Sequence, residues 1–378
     1  MTAVLHRTEQ PAAPVAPVLP PAPAPAPRSG GVAAVLGART EIFTLAPVLG
    51  GLGDAARVVR MGRATPGVPA DVPPARARDC RIAVALEQMK REFAADRPDV
   101  VLVPGATDVA VAGALAAKSS GIPLVRVDAG LRGELPEERN RVLLDQVCDV
   151  LCASTPGNVA NLEAEGLGDR EVRLTGSTTV EAVRHRLMPR ADRLALLREW
   201  GLEADGYVLA TIGHPEHTDD EEALFAITNQ LAGVVDAGHP VVLPVDPRTK
   251  AAMARAGVLS SGMDLRVVDR LWHSEFLALA GHAALLVSDG GVVQEEATVL
   301  KRPVLVVRRS TERPEVLRDF GGLVGPHDDL TGVALEWLAE GDERRSRLAD
   351  VPSPFGDGHG GERIAEAARD LARQTARP

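Results

Sequence analysis

From Val32 onward, apolar runs of four or five residues alternate with longer helix-like stretches. That alternation confines the chain to a narrow group of folds. Val32–Leu36, Val100–Val103, Pro123–Val127 and Val150–Ala153 read as strands. Helices near 80–95, at Val109–Lys118 and near 137–147 lie between them. A charged helical stretch near 191–200 interrupts the pattern. It restarts with the strands Tyr207–Thr211, Pro240–Pro244, Leu265–Val268, Ala284–Val287 and Pro303–Val307. Strands separated by crossover helices pair in parallel. The expected fold class is α/β, with two Rossmann-like, doubly wound domains facing a cleft. The 378 residues are enough for two such units. The expected boundaries are a Pro- and Ala-rich extended tail at 1–30, a first domain at 31–188 and a second at 189–351. The last helix, 359–374, follows the loop Pro352–Gly360 and is expected to pack back on the first domain.

Composition narrows the partners. Hydrophobic residues make up 45% and charged residues 25%, ordinary for a water-exposed globular chain. A net charge of -10 disfavours a nucleic-acid backbone as partner. Local arginines and helix ends still allow small anionic ligands. No run approaches the ~18 apolar residues of a membrane span, so a cytoplasmic location is expected. Cys80, Cys148 and Cys152 form no zinc or disulfide framework. His217, Asp219 and Asp220 bring metal-ligand types together, but Thr218-Asp219-Asp220-Glu221 reads as a helix start. No metal is expected.

Ser288-Asp289-Gly290-Gly291-Val292-Val293-Gln294-Glu295-Glu296 carries the clearest chemical signal. It joins the apolar run Ala283–Val287 to a helix. Gly290 and Gly291 let backbone amides approach a ligand closely. The free N–H groups and positive end of the new helix favour an anion, a phosphate above all. Glu296, about one and a half turns further on, is placed to meet a ribose diol attached to that phosphate. After the next strand, Thr311-Glu312-Arg313-Pro314-Glu315 reads as a capped helix start. Pro314 lies in the first turn and Thr311 is its candidate cap. Arg313 then projects near a strand's carboxyl end, where sheets of this kind bind ligands.

Several stretches, in this order, resemble the non-hydrolysing UDP-N-acetylglucosamine 2-epimerase family. They are Arg97–Val103, Asp128-Ala129-Gly130-Leu131-Arg132, Pro136–Arg141, Gly213-His214, Gln294-Glu295-Glu296, Thr311–Glu315 and Pro354–Gly358. The resemblance runs from about Val32 to Leu371. It implies a fold like the two-domain GT-B glycosyltransferases, with a sugar nucleotide in the cleft. It implies expulsion of UDP by anti elimination across C1–C2, then re-addition after the C2 proton returns on the other face. No cofactor is implied, and a homodimer is. By position, Gly290 and Gly291 would hold the diphosphate and Glu296 the ribose. Arg39 and Arg313, with Glu41 beside them, would hold phosphates or nearby sugar. His214 would face the leaving diphosphate. Asp128, Glu137 and Arg141 complete the candidate catalytic set.

The departures from the family pattern fall in the chemistry. The family's Gly-Thr-Arg-Pro-Glu is Gly37-Ala38-Arg39-Thr40-Glu41, with Thr44 in place of a lysine. Gly-Asp-Thr is Gly105-Ala106-Thr107, which removes a carboxylate; Asp108 is the nearest substitute. Glu-Ala-Gly-Leu-Arg is Asp128–Arg132, which shortens another carboxylate by a methylene. Gly-His-Arg-Arg-Glu is Gly213-His214-Pro215-Glu216, and Asp-Ser-Gly-Gly is Asp289-Gly290-Gly291-Val292. The phosphate scaffold survives while groups that move a proton at C2 are depleted. Such groups contribute ~10²–10⁴-fold each. The foremost expectation is therefore cleavage of an anomeric C–O bond to phosphate or diphosphate, with capture of the glycosyl group by another nucleophile such as a nitrogen heterocycle. The alternatives are a true 2-epimerase of a nucleotide sugar and a non-catalytic sugar-nucleotide sensor.

Overall fold

A computed structural model describes residues 31–37, 41–60, 81–134 and 138–375. The Pro/Ala-rich tail, the loop expected at 63–79, Cys80, Arg39 and Glu137 lie outside these described residues.

Two parallel sheets form the frame. The first runs β1 (Val32–Leu36), β2 (Ala56–Arg60), β3 (Val100–Val103), β4 (Leu124–Ala129), β5 (Val150–Ala153) and β6 (Glu171–Leu174). Its spatial order is β2-β1-β3-β4-β5-β6. The second contains β7 (Val208–Thr211), β8 (Val241–Val245), β9 (Arg266–Asp269), β10 (Leu285–Ser288), β11 (Val304–Val307) and β12 (Gly321–Val324). Its order is β12-β11-β10-β7-β8-β9. The strands expected from the apolar runs are all present. Sequence reading missed β2, β6 and β12. β6 and β12 are sheet edges with incomplete burial, so their sequences lack a long apolar run.

Each order reverses once. In the first sheet the reversal lies between β1 and β3, in the second between β7 and β10. A crevice opens at the carboxyl ends of strands at such a switch point, because the two following loops part to opposite faces. Gly37 and Gly105 follow the strands at the first crevice; Gly213 and Asp289 follow those at the second.

Both faces of each sheet are covered, which is why the central strands are uninterrupted apolar runs. On one face of the first sheet, Val35, Val101 and Val103 pack with Ala110, Ala114 and Leu144. On the other, Ala34, Leu102 and Val125 meet Leu45, Val48, Ile364, Ala368 and Leu371. The last three belong to the helix Gly360–Thr375, so the chain's final helix lies on the first sheet. Glu181 accepts the Gly361 N–H at 2.8 Å and anchors its start. Cys148 and Cys152 sit in this packing, and burial pushes both thiols up to about 12. Among the described residues, no helix is long and apolar enough to cross a membrane.

A buried ionic knot shapes the turn after β4. Arg126 and Asp145 are 1% and 0% exposed and pair at 3.1 Å. The second oxygen of Asp145 accepts the Gly130 N–H at 3.0 Å and meets Arg132 at 2.9 Å. Gly130 takes a positive φ of 77°, and a side chain there would collide with the Asn158 carbonyl. Only glycine fits both demands. Removing Asp145 would leave Arg126 charged and unpaired in the core. Asp145→Ala is therefore expected to destabilise the first domain by about 3–5 kcal/mol. Chemical denaturation followed by circular dichroism checks this, and an unshifted midpoint refutes it.

Candidate functional site

The second crevice is built around Asp289, which directly follows β10 and is 3% exposed. Its carboxylate accepts the Gly213 N–H at 3.0 Å and the His214 N–H at 2.8 Å. It also lies 2.9 Å from Nδ1 of the fully buried His217. One side chain thus ties the turn after β7 to the turn after β10. His214 caps a short helix, its Nδ1 accepting the Glu216 N–H at 3.3 Å. An accepting Nδ1 leaves the proton of a neutral imidazole on Nε2. His214 is set to donate. The metal-ligand types nearby go separate ways. Asp220 caps the helix Glu221–Asp236, and Asp219 pairs with Arg248 at 2.8 Å.

Gly290 and Gly291 open the helix Gly291–Leu300, and no side chain caps it. Its first N–H groups stay available for an anion. A Cβ on Gly291 would collide with Arg313 and Glu312. The glycine therefore serves packing as well as approach. Arg313, 7% exposed, is held by Glu295 and Glu312. Burial alone would lower its affinity for a proton, but these two carboxylates outweigh it. The expected helix start at Thr311 is displaced. Helix begins only at Val316, while Thr311 accepts the Arg313 N–H at 3.1 Å and donates to Gln294 at 2.6 Å. The residues before the helix are drawn into the ionic cluster instead.

That cluster joins the two halves. Arg141 of the helix Glu138–Val147 lies 3.7 Å from Glu312. Ser177 donates to Glu295, and Thr155 to Glu315. Arg141 finds its pair on the other lobe as well as Glu138 at 3.4 Å on its own helix. Burial, followed by the repulsion of Arg313, lowers its pKa.

The first crevice contributes two of the expected residues. Glu41 accepts the Gly37 N–H at 2.7 Å, and a Cβ on Gly105 would collide with its carboxylate. It sits against both Gly37 and Gly105 beside the switch point. Asp128 stands at a register shift in β4 with a φ of 56°. A left-handed backbone is uncommon for a residue other than glycine and collects at functional sites. Ser154 donates to its Oδ1 at 2.7 Å. Arg313 feels its charge across the cleft. Glu296 is buried against His273 at 2.6 Å, and burial raises its pKa.

Buried polar atoms without hydrogen-bond partners gather here: Glu138 Oε1, His217 Nε2, His273 Nδ1, Gln294 Nε2, Arg308 Nε and Glu315 Oε2. Each such atom in a native fold calls for an explanation, such as a catalytic role or a bound water or ion. Sequence reading missed Asp289, His217, His273 and Ser177 as parts of the site. The first stood beside the glycines that drew attention; His273 and Ser177 had no local pattern to mark them.

Two Rossmann-like units meeting at their switch points define a GT-B-like, two-lobed α/β protein. The structure of Methanocaldococcus jannaschii UDP-GlcNAc 2-epimerase in complex with UDP-GlcNAc and UDP superposes with a TM-score of 0.78 at 26% identity, covering 90% of this chain and 99% of that one. Residues 74–369 match the family described as UDP-N-acetylglucosamine 2-epimerase. The chain belongs to that family. The UDP-N-acetylglucosamine 2-epimerase of Methanocaldococcus jannaschii is 31% identical over 289 residues, 74% of this chain and 77% of that protein. The UDP-2,3-diacetamido-2,3-dideoxy-D-glucuronate 2-epimerase of Pseudomonas aeruginosa is 30% identical over 278 residues, 72% of this chain and 75% of that protein.

Glu312 gives the site an acid limit. Burial would raise its pKa, but Arg313, Arg308 and Arg141 overcome that and hold it at about 2. The folded value lies below the ordinary 4.5, so its stabilisation is complete above about pH 4.5 and vanishes as pH falls through about 2. Glu312→Gln is expected to melt below the wild type at pH 7. The gap should close between pH 4.5 and 2. Melting curves across that range check this, and a constant gap refutes it.

Proposed function

We propose that this chain is a 2-epimerase of a UDP-activated 2-acetamido sugar. The observation that carries the proposal is Asp289. It clamps the His214 turn beside the uncapped, glycine-led helix at one switch point, opposite the strained Asp128 of the other lobe. Relatives named as 2-epimerases of two different UDP-sugars support epimerisation above glycosyl transfer, which reverses the order expected from the sequence alone.

A carboxylate, Asp128 or Glu137, takes the C2 proton. The C2–H electron pair becomes the C1–C2 double bond, and the C1–O pair leaves with UDP. Amides at the start of the helix Gly291–Leu300 and the His214 Nε2–H stabilise the departing phosphate oxygen, the kind of preorganised donation that supplies most of such catalysis. A proton then returns to C2 on the opposite face, and the UDP oxygen attacks C1 again. Atoms and electrons balance without a metal or redox cofactor. By the family resemblance Arg39 would reach phosphate or nearby sugar, while Arg141 and Arg313 stand beside the site, both near Glu312. Glu41 shapes the opposing loop, and Glu296 meets the ribose.

One observation favours glycosyl transfer as a second reading. Ala106 stands where the family has a carboxylate, and Asn140 binds both the Ala106 carbonyl at 3.0 Å and Asp108 at 3.3 Å. Asp108 is thereby turned to its neighbouring helix and is a poor replacement. An oxocarbenium-like centre that loses its C2 proton slowly would survive for another nucleophile, such as a nitrogen heterocycle.

Incubation with UDP-N-acetylglucosamine in deuterated water tests both. Deuterium at C2 together with the manno epimer is the expected result. Asp128→Asn should slow exchange by ~10²–10⁴-fold while still binding UDP. Turnover only in the presence of an acceptor, with C2 retaining its original hydrogen, would overturn epimerisation in favour of transfer.

A further inference from the structure

Glu296 is 2% exposed, and its Oε1 lies 2.6 Å from Nε2 of His273. His273 is the first residue of the helix His273–Ala280. Its other nitrogen, Nδ1, is buried and has no hydrogen-bond partner. The imidazole stacks on Phe43, with centroids 5.1 Å apart and planes at 19°. The Arg186 guanidinium stands 4.5 Å from the centroid of the same Phe43 ring. Phe43 and Arg186 lie on the helices Glu41–Leu52 and Thr178–Arg186, His273 and Glu296 on helices of the second sheet. A column of four side chains therefore crosses the cleft.

The column conflicts with a ligand. A buried carboxylate at this place suits two vicinal hydroxyls, since its two oxygens accept two O–H donors and such charge-assisted bonds are short and strong. His273 already holds one of those oxygens. The ring cannot leave Glu296 without disturbing its stack on Phe43, a residue of the opposite lobe.

We propose that His273 is the specificity gate of the cleft: it occupies the Glu296 carboxylate until a ligand's vicinal hydroxyls take it. Its stack on Phe43 ties that exchange to the approach of the two lobes. This rests on the nucleotide-sugar reading above and adds to it a residue that sets how strongly a ribose diol is preferred. A histidine that merely stabilises the fold would affect all ligands alike. A gate affects only those carrying the diol.

The test compares UDP with 2′,3′-dideoxy-UDP by titration calorimetry on the full chain. The variants are His273→Ala and His273→Phe, the second keeping a ring against Phe43 while losing the bond to Glu296. The readout is the ratio of the two dissociation constants. Freed of its competitor, Glu296 should raise the preference for UDP about three- to tenfold in both variants, the size of one hydrogen bond released. A ratio that is unchanged or falls, with UDP still bound, overturns this proposal alone. Failure of the wild type to bind UDP at all overturns the nucleotide-sugar reading and this proposal with it.

Discussion

Arg313 is the charge on which the junction between the lobes depends. It is buried, and it survives as a cation because Glu295 and Glu312 flank it. Those carboxylates do not stop at Arg313. Glu312 also meets Arg308 at 2.7 Å and Arg141 at 3.7 Å, and Glu295 accepts from Ser177. A buried ionic network contributes little net stability, because desolvation offsets most of its attraction. Its value is geometric: partners on both lobes must all be in place, or a charge is left exposed to a low dielectric. The two halves are thereby tied together by charge and hydrogen bonds beside their crevices.

Asp289 does similar work on a smaller scale. Two backbone N–H groups and one imidazole converge on a single carboxylate. The turn carrying His214 is thereby tied to the turn after β10, and the helix beside it starts without a side-chain cap. A catalyst that stabilises a departing phosphate needs donors that do not reorganise during the reaction.

The departures from the family's motif acquire a physical meaning in this frame. Pro215 and Glu216 stand where the family has two arginines beside His214, and Asp289 holds the backbone of this turn. Gly290 in place of serine removes a side-chain donor and leaves the Ser288 hydroxyl, which the Gly290 N–H reaches at 3.0 Å. The loss at Ala106 has no comparable compensation. The glycine-led helix and the Asp289-held turn are thus kept by their packing, while Ala106 stands where the family has a carboxylate.

The sequence alone settled the parallel α/β architecture, because strand and helix periodicities are local and a central strand buried on both faces must be an apolar run. It also settled the uncapped helix at Gly290 and Gly291, since two glycines after a strand leave few other geometries. It misplaced the helix start after Thr311 and missed β2, β6 and β12, where edge exposure weakened the pattern. Which group each carboxylate serves was decided only by the tertiary structure. His273 is 23 positions from Glu296, His217 is 72 from Asp289 and Ser177 is 118 from Glu295. No local rule links residues so far apart. Asp128 belongs with them, because its left-handed backbone comes from a register shift between neighbouring strands, a property of the sheet and not of the segment.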